Sequence, residues 1–464
     1  MRARVPADSV RGEAGGIRPW LAGRHPPVWL EDLPRTGIPR LSRAGPVSAA
    51  PKWSRQVALD LDFVRSQFPA FASPVLSTHA FFENAGGSYP CVQVVDRLTR
   101  FYRDRKVQPY GPYPGAEAGG AEMDEARTRL AAMMGVAREE VSFGPSTSAN
   151  TYVLAQAVRK WLAGTGGAVV VTNQDHEANS GVWRRLADDG IEVREWKLDP
   201  ATGSLGLEAL GRLLSDGKVR LVCFPHCSNV IAEINDVAAI CALAKAAGAR
   251  TVVDGVSYAP HGFPDMPALG CDVYLFSAYK TFGPHQGIMV IREGFGFELP
   301  GQGHFFNHGV LYKRHTPAGP DHAQVAACAG MADYIDALAA RHGIGGDPAA
   351  RNRGVHDLMR AQEVAVIQPL LDYLGQRNDV RLLGPRDAGR RAPTVAVELD
   401  RVAEPVSEEL GRNGIACWAG DFYAVRPLEA LGIDREKGVL RMSAVHYTSA
   451  EEVARLIAAL DRVL

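Results

Sequence analysis

Between about Phe81 and Gly330, short apolar runs alternate with helix-patterned stretches, which leaves this chain few ways to fold. Val169-Val170-Val171, Leu221-Val222-Cys223-Phe224, Thr251-Val252-Val253 and Val273-Tyr274-Leu275-Phe276 are continuously apolar, as strands covered on both faces are. Asp236 to Ala249, between two of these runs, has helical spacing instead. Strands alternating with helices predict an α/β domain over 81–330, built on a mixed, mostly parallel sheet. The 464 residues, 46% of them apolar, suffice for a second domain. Segments 56–80 and 331–464 are predicted to supply it as a smaller α+β unit. Its elements are strands Thr394–Leu399 and Val439–Ala444, a helix Val406–Asn413, and a last helix with Ser449 and Glu452 as a capping box. Residues 1–55 are rich in Arg, Pro and Gly, without periodicity or a signal-type apolar core, and read as a flexible extension.

Bulk properties narrow the function classes. A formal net charge of −1 gives no electrostatic reason for nucleic acid or membrane partners, and no apolar run reaches the length of a membrane span. Seven scattered cysteines suit a reducing, cytoplasmic setting. Cys223 and Cys227 flank His226, but no second ligand pair has zinc spacing, so no metal is expected.

The chemistry concentrates at the ends of the apolar runs. Asp254 closes Thr251-Val252-Val253, and Lys280 follows Val273 to Phe276 within Ser277-Ala278-Tyr279-Lys280. Both positions are predicted at carboxyl ends of strands, where open α/β sheets bind ligands. A lysine amine that can hold an aldehyde, with a carboxylate that can keep a pyridine nitrogen protonated, is the residue pair required by pyridoxal 5′-phosphate (PLP).

Four other segments supply further parts of such a pocket. Phe143-Gly144-Pro145-Ser146-Thr147-Ser148 precedes an apolar helix, Thr151 to Leu162, and suits phosphate through backbone N–H groups and hydroxyls. His176 lies beyond the strand at Ala168, placed to stack on a cofactor ring and to move protons near neutral pH. Asn229, after strand Val219–Phe224, suits the cofactor's phenolic oxygen or a substrate carboxylate. Arg441, on a strand before the final helix, suits an α-carboxylate gripped by two parallel bonds.

Together these motifs, with Phe81-Phe82-Glu83-Asn84-Ala85-Gly86-Gly87, Asp175-His176-Glu177-Ala178-Asn179 and Asp254-Gly255-Val256-Ser257, resemble the class V aminotransferase family from about Phe68 to Leu464. These are fold type I PLP enzymes, and the resemblance is to the group that holds cysteine desulfurases, selenocysteine lyases and isopenicillin N epimerase. The resemblance implies that Lys280 holds PLP as a Schiff base, that Asp254 pairs with the ring nitrogen and that His176 stacks. It also implies that Ser146 and Ser277 hold phosphate, that Arg441 holds the carboxylate of a small amino-acid substrate, and that the enzyme is a homodimer; Thr147 is expected beside the phosphate, and Asn229 and Tyr423 beside the substrate.

Two departures from the desulfurase pattern bear on the reaction. Where a desulfurase resembling this chain carries its sulfur-accepting cysteine, an ungapped alignment of Gly414-Ile415-Ala416-Cys417-Trp418-Ala419-Gly420-Asp421-Phe422-Tyr423 puts Tyr423. Cys417 is the nearest thiol, with apolar neighbours that suit burial rather than reactivity. Where the family often has a Gly-Thr pair reaching the neighbouring subunit's cofactor, this chain has Gly319-Pro320-Asp321-His322. The expectation is therefore removal of the Cα proton by Lys280 and C–S cleavage by β-elimination. Desulfuration through a persulfide, transamination and epimerisation are the alternatives, and an inactive PLP-fold scaffold is the non-enzymatic one. Retention of Lys280, Asp254, His176 and Arg441 weighs against the scaffold.

Overall fold

The computed structural model describes residues 58–464, so the expected extension over 1–55 lies outside the described residues. These form thirteen strands. β1 (Ala80–Phe81) is followed by the strands of the large sheet: β2 (Val141–Gly144), β3 (Ala168–Thr172), β4 (Glu192–Trp196), β5 (Val219–Pro225), β6 (Arg250–Asp254), β7 (Val273–Ser277) and β8 (Gly287–Ile291). Their spatial order is β2-β8-β7-β6-β5-β3-β4. All neighbours from β4 to β7 pair in parallel, and β8 runs against both β7 and β2. The expected mixed, mostly parallel sheet is the one observed.

Period-two alternation explains why this sheet is covered twice. Val170, Val222, Phe224, Val253, Tyr274 and Phe276 point into one apolar core, shared with helices Val92–Asp104, Pro114–Met134 and Val237–Ala246. Val169, Val171, Leu221, Cys223, Val252 and Leu275 point into another, covered by helices Thr147–Thr165 and Glu177–Arg184. With no polar face to present, these strands must read as the unbroken apolar runs of the sequence.

A second sheet follows from β9 (Val380–Leu382), β10 (Thr394–Leu399), β11 (Ile415–Ala416), β12 (Trp418–Gly420) and β13 (Val439–Ser443). β12, β13, β10 and β9 form an antiparallel sheet in that order, while β11 pairs in parallel with β1. Val395, Val397, Leu440 and Met442 pack against Leu370 and Leu374 of helix Pro348–Gln376 and Leu456 of helix Ala450–Val463. The capping box opens this last helix: Ser449 Oγ accepts from Glu452 N at 3.1 Å, and Glu452 Oε2 accepts from Ser449 N at 2.9 Å. The sequence boundary at 331 falls inside helix Ala329–Arg341, whose Met331, Tyr334 and Leu338 pack into the large-sheet core together with Val64 and Phe68. Among the described residues no helix is long and apolar enough to cross a membrane.

Strand β3 is followed in sequence by β4 on one side of it and by β5 on the other. The connections therefore diverge between β3 and β5, leaving a crevice at the carboxyl ends of these strands. Asp175 and His176 follow β3, Asn229 follows β5, Asp254 ends β6 and Lys280 closes the turn after β7.

Candidate active site

Seven of the residues singled out in the sequence surround one cavity of about 270 Å³: Lys280, Asp254, His176, Asn229, Ser146, Thr147 and Ser277. Arg441 and Tyr423 line an adjoining outer cleft of about 770 Å³, which also reaches Lys280, His176 and Asn229. The strand ends thus bring together side chains more than a hundred residues apart, Ser146 and Lys280 among them, and the second sheet supplies the outer wall.

Burial sets the protonation of the inner cavity. Desolvation pushes Lys280 down to about 8, with nearby Arg441 acting the same way and Asp254 and Glu83 opposing. Asp254 is raised to about 6 by burial, against a hydrogen bond from Val256 N at 2.8 Å and the attraction of Lys280. His176 is lowered to about 4, by burial first and by Lys280 and Arg441 next. Its Nδ1 accepts from Ala178 N at 3.0 Å, capping helix Glu177–Arg184 and leaving the ring proton on Nε2. Near pH 7 this ring is neutral, with an N–H on Nε2 and a flat face available to a ligand in the cavity.

At the other end of the cavity, Ser146 caps helix Thr147–Thr165 by accepting from Ala149 N at 3.1 Å. The first N–H groups of this helix, at Thr147 and Ser148, have no carbonyl one turn back to serve them. The Thr147 and Ser277 hydroxyls lie 2.7 Å apart. Gly287 on β8 lets the sheet pass beneath the loop: a Cβ there would stand 2.3 Å from Ser146 C and 2.6 Å from Thr147 N. Oriented N–H groups, hydroxyls and the positive end of a long helix make an anion cradle.

Four residues of the site, Asp175, Ser257, His285 and Glu83, have no role assigned from the sequence. Asp175 is buried, accepts from His176 N at 2.9 Å and Asn179 Nδ2 at 2.5 Å, and is driven well above the carboxylate range by burial and by Asp254. His285 stacks on Tyr279 with ring centroids 4.9 Å apart, and both line the cavity beside Ser257. Glu83 pairs with Arg441 in the outer cleft. Asp175 and Ser257 lie within the family-like motifs, so a search for polar residues flanking each strand end would have given them a place in the site. Glu83 also lies in such a motif, but neither its partner nor that of His285 is legible there, because both are set by tertiary structure.

The thiols are poorly placed for chemistry. Cys91, Cys223, Cys227, Cys241, Cys271 and Cys328 are buried, and Cys417 is half-buried. Cys417 lies between β11 and β12, packs on the second apolar core, and is pushed up to about 12 by desolvation and by Glu83. Tyr423 stands at the cleft mouth, 71% exposed, with its ring 5.5 Å from that of His176. The Gly319-Pro320-His322 segment lines a separate cavity of about 290 Å³ with Tyr110 and Tyr312.

The inner cavity fits PLP group by group. The anion cradle matches the phosphate, the buried Asp254 the ring nitrogen, and the Lys280 amine the aldehyde. Asn229 Oδ1 is buried without a partner, while its Nδ2 donates to Phe422 O at 2.9 Å, so an acceptor is left free at the cavity wall. Known proteins agree. The class V aminotransferase family profile matches residues 80–300 and 351–456. The chain is 30% identical over 429 residues to the aminotransferase-like protein FGM3 of Gibberella zeae, covering 88% of this chain and 99% of that protein. It is 28% identical over 425 residues to a cysteine desulfurase of Serratia proteamaculans, covering 88% and 99%. Among solved structures, the cysteine desulfurase CsdA of Escherichia coli superposes with a TM-score of 0.72 at 21% identity, covering 88% of this chain and 99% of that one. An apo cysteine desulfurase of Thermococcus onnurineus gives 0.74 at 22%, covering 88% and 98%. The chain therefore belongs to the class V aminotransferase family, as a PLP-dependent enzyme of its cysteine desulfurase-like group.

Proposed function

We propose that this enzyme cleaves a carbon–sulfur bond of a small amino acid by β-elimination. The observation that carries this reading is the state of the thiols beside the cleft. A sulfur acceptor must be an exposed thiolate, whereas the one cysteine near Arg441 and Glu83 is held protonated and packed on an apolar core, and Tyr423 occupies the mouth of the cleft.

PLP, when bound, supplies a sink for the electrons released at Cα. Lys280 would hold its aldehyde, Asp254 its ring nitrogen, His176 its ring face, and Ser146, Thr147 and Ser277 its phosphate. The Arg441 guanidinium orients the substrate carboxylate. Once the substrate amine has taken its place, the freed Lys280 Nζ, with its proton affinity lowered by burial, takes the Cα proton. The Cβ–S bond then breaks with its electron pair on sulfur, which takes up the proton that Lys280 removed from Cα and leaves as a thiol without bonding to the protein. A homodimer completes this reading, supported by the aromatic surface of Phe305 and Phe306, 84% and 70% exposed. A cytoplasmic setting is supported by seven unpaired cysteines.

Intact-mass analysis of the holoenzyme after incubation with L-cysteine tests the proposal. Elimination predicts a protein mass unchanged by added sulfur. A sulfur adduct on Cys417, removable by a thiol reductant, would establish transfer through a persulfide instead.

A further inference from the structure

Arg441 is already occupied. Its Nη2 donates to Glu83 Oε1 at 2.7 Å, with the two side chains only 4% and 19% exposed. Its guanidinium carbon lies 3.7 Å from the Phe422 ring centroid, and Nη1 reaches Asn229 O at 3.4 Å. The remaining donor, Nε, is buried without a partner, and so is the other glutamate oxygen, Oε2. Nε and Nη2 form one edge of the planar guanidinium, the edge that takes a carboxylate through two parallel bonds. Glu83 fills half of that edge and leaves the other half open.

The glutamate has a place made for it. β1 leads into Glu83, which forms an isolated parallel bridge with Ser443, two residues beyond Arg441 on β13. Gly86 N donates back to Glu83 O at 3.0 Å, and a Cβ at Gly86 would stand 2.5 Å from Glu83 Oε1. The Phe81-Phe82-Glu83-Asn84-Ala85-Gly86 turn thus combines a side chain long enough to reach Arg441 with a residue small enough to admit its carboxylate. Without an internal counter-charge, a guanidinium this deeply buried would carry a large desolvation cost.

We propose that Glu83 is a resident surrogate for the substrate α-carboxylate. It holds Arg441 in its carboxylate-binding conformation while the cleft is empty, and an arriving α-carboxylate displaces it by completing the Nε/Nη2 pair. The ion pair is exchanged rather than created, so Glu83 lowers affinity for α-carboxylates and leaves amines without one unaffected. The inference rests on the reading of Arg441 as the carboxylate holder.

The experiment is a spectrophotometric titration of the PLP-loaded enzyme with 2-methylalanine, which has no Cα hydrogen, and with isopropylamine, the same amine lacking the carboxylate. Glu83→Gln and the shorter Glu83→Asp are each expected to bind 2-methylalanine about tenfold more tightly than the parent, or about 1.4 kcal/mol, with isopropylamine unchanged. Equal or weaker 2-methylalanine binding in both variants would overturn the proposal and make Glu83 a plain buttress of Arg441. Arg441→Gln separates the two levels: it is expected to abolish the preference for 2-methylalanine over isopropylamine. Retention of that preference would overturn the Arg441 reading itself, and the exchange with it.

Discussion

Replacing Lys280 with methionine should make the cofactor-free protein more stable, although it removes the residue on which catalysis is proposed to depend. Burial lowers the amine from 10.5 to about 8, so at pH 7 the folded protein holds a charge that its surroundings disfavour. The difference of 2.5 pH units, at about 1.36 kcal/mol for each, comes to roughly 3 kcal/mol. With an unfolding entropy of about 2.1 cal/mol/K per residue, a chain of 464 residues gains only about 3 °C in Tm. Methionine has a similar shape and no charge to desolvate. Because the folded value lies below the unfolded one, the penalty in the parent is complete below pH 8, shrinks as pH rises towards 10.5, and vanishes above it. The assay is thermal unfolding of cofactor-free parent and Lys280→Met from pH 7 to pH 10.5. A variant that melts lower than the parent at pH 7, or a gap that does not close with rising pH, would refute the electrostatic reasoning.

Other consequences are checked individually. His176→Phe should retain PLP, since the site uses a neutral plane, whereas His176→Ala should weaken cofactor binding, both read by equilibrium titration. Gly287→Ala would drive a Cβ into the Ser146–Thr147 backbone and should cost about 1–3 kcal/mol by chemical denaturation, with weakened phosphate retention. Cys417→Ser should leave the steady-state rate with L-cysteine within about twofold of the parent, because a thiol held protonated carries no step; a drop of about a hundredfold would restore the persulfide route.

The sequence shows most clearly those features that depend on local order. Strands β5, β6 and β7 read as unbroken apolar runs because both their faces are covered. The positions of Asp254 at the end of β6 and of Lys280 in the turn after β7 are therefore legible without knowledge of the neighbouring strands. The loop before helix Thr147–Thr165 is equally legible, because Ser146, which is proposed to hold phosphate, is also the N-cap of that helix. Partnerships across the chain were not. Glu83 reads as one charge in a turn until β1 and β13 place it against Arg441. The altered titration of His176 and Asp175 comes from burial and from charges on other strands, which no spacing rule encodes. The 56–80 segment and the start of 331–464 pack on the large sheet through Val64, Phe68, Met331 and Leu338, apolar residues that would suit either core.

The central claim is that the Cβ–S bond breaks by elimination, without a protein thiol. It is tested most directly by identifying the three-carbon product formed from L-cysteine by the PLP-loaded enzyme. Elimination yields pyruvate, with ammonium and sulfide in equal amounts. Alanine as the product would contradict it, since alanine arises only when a nucleophile takes the sulfur from the substrate.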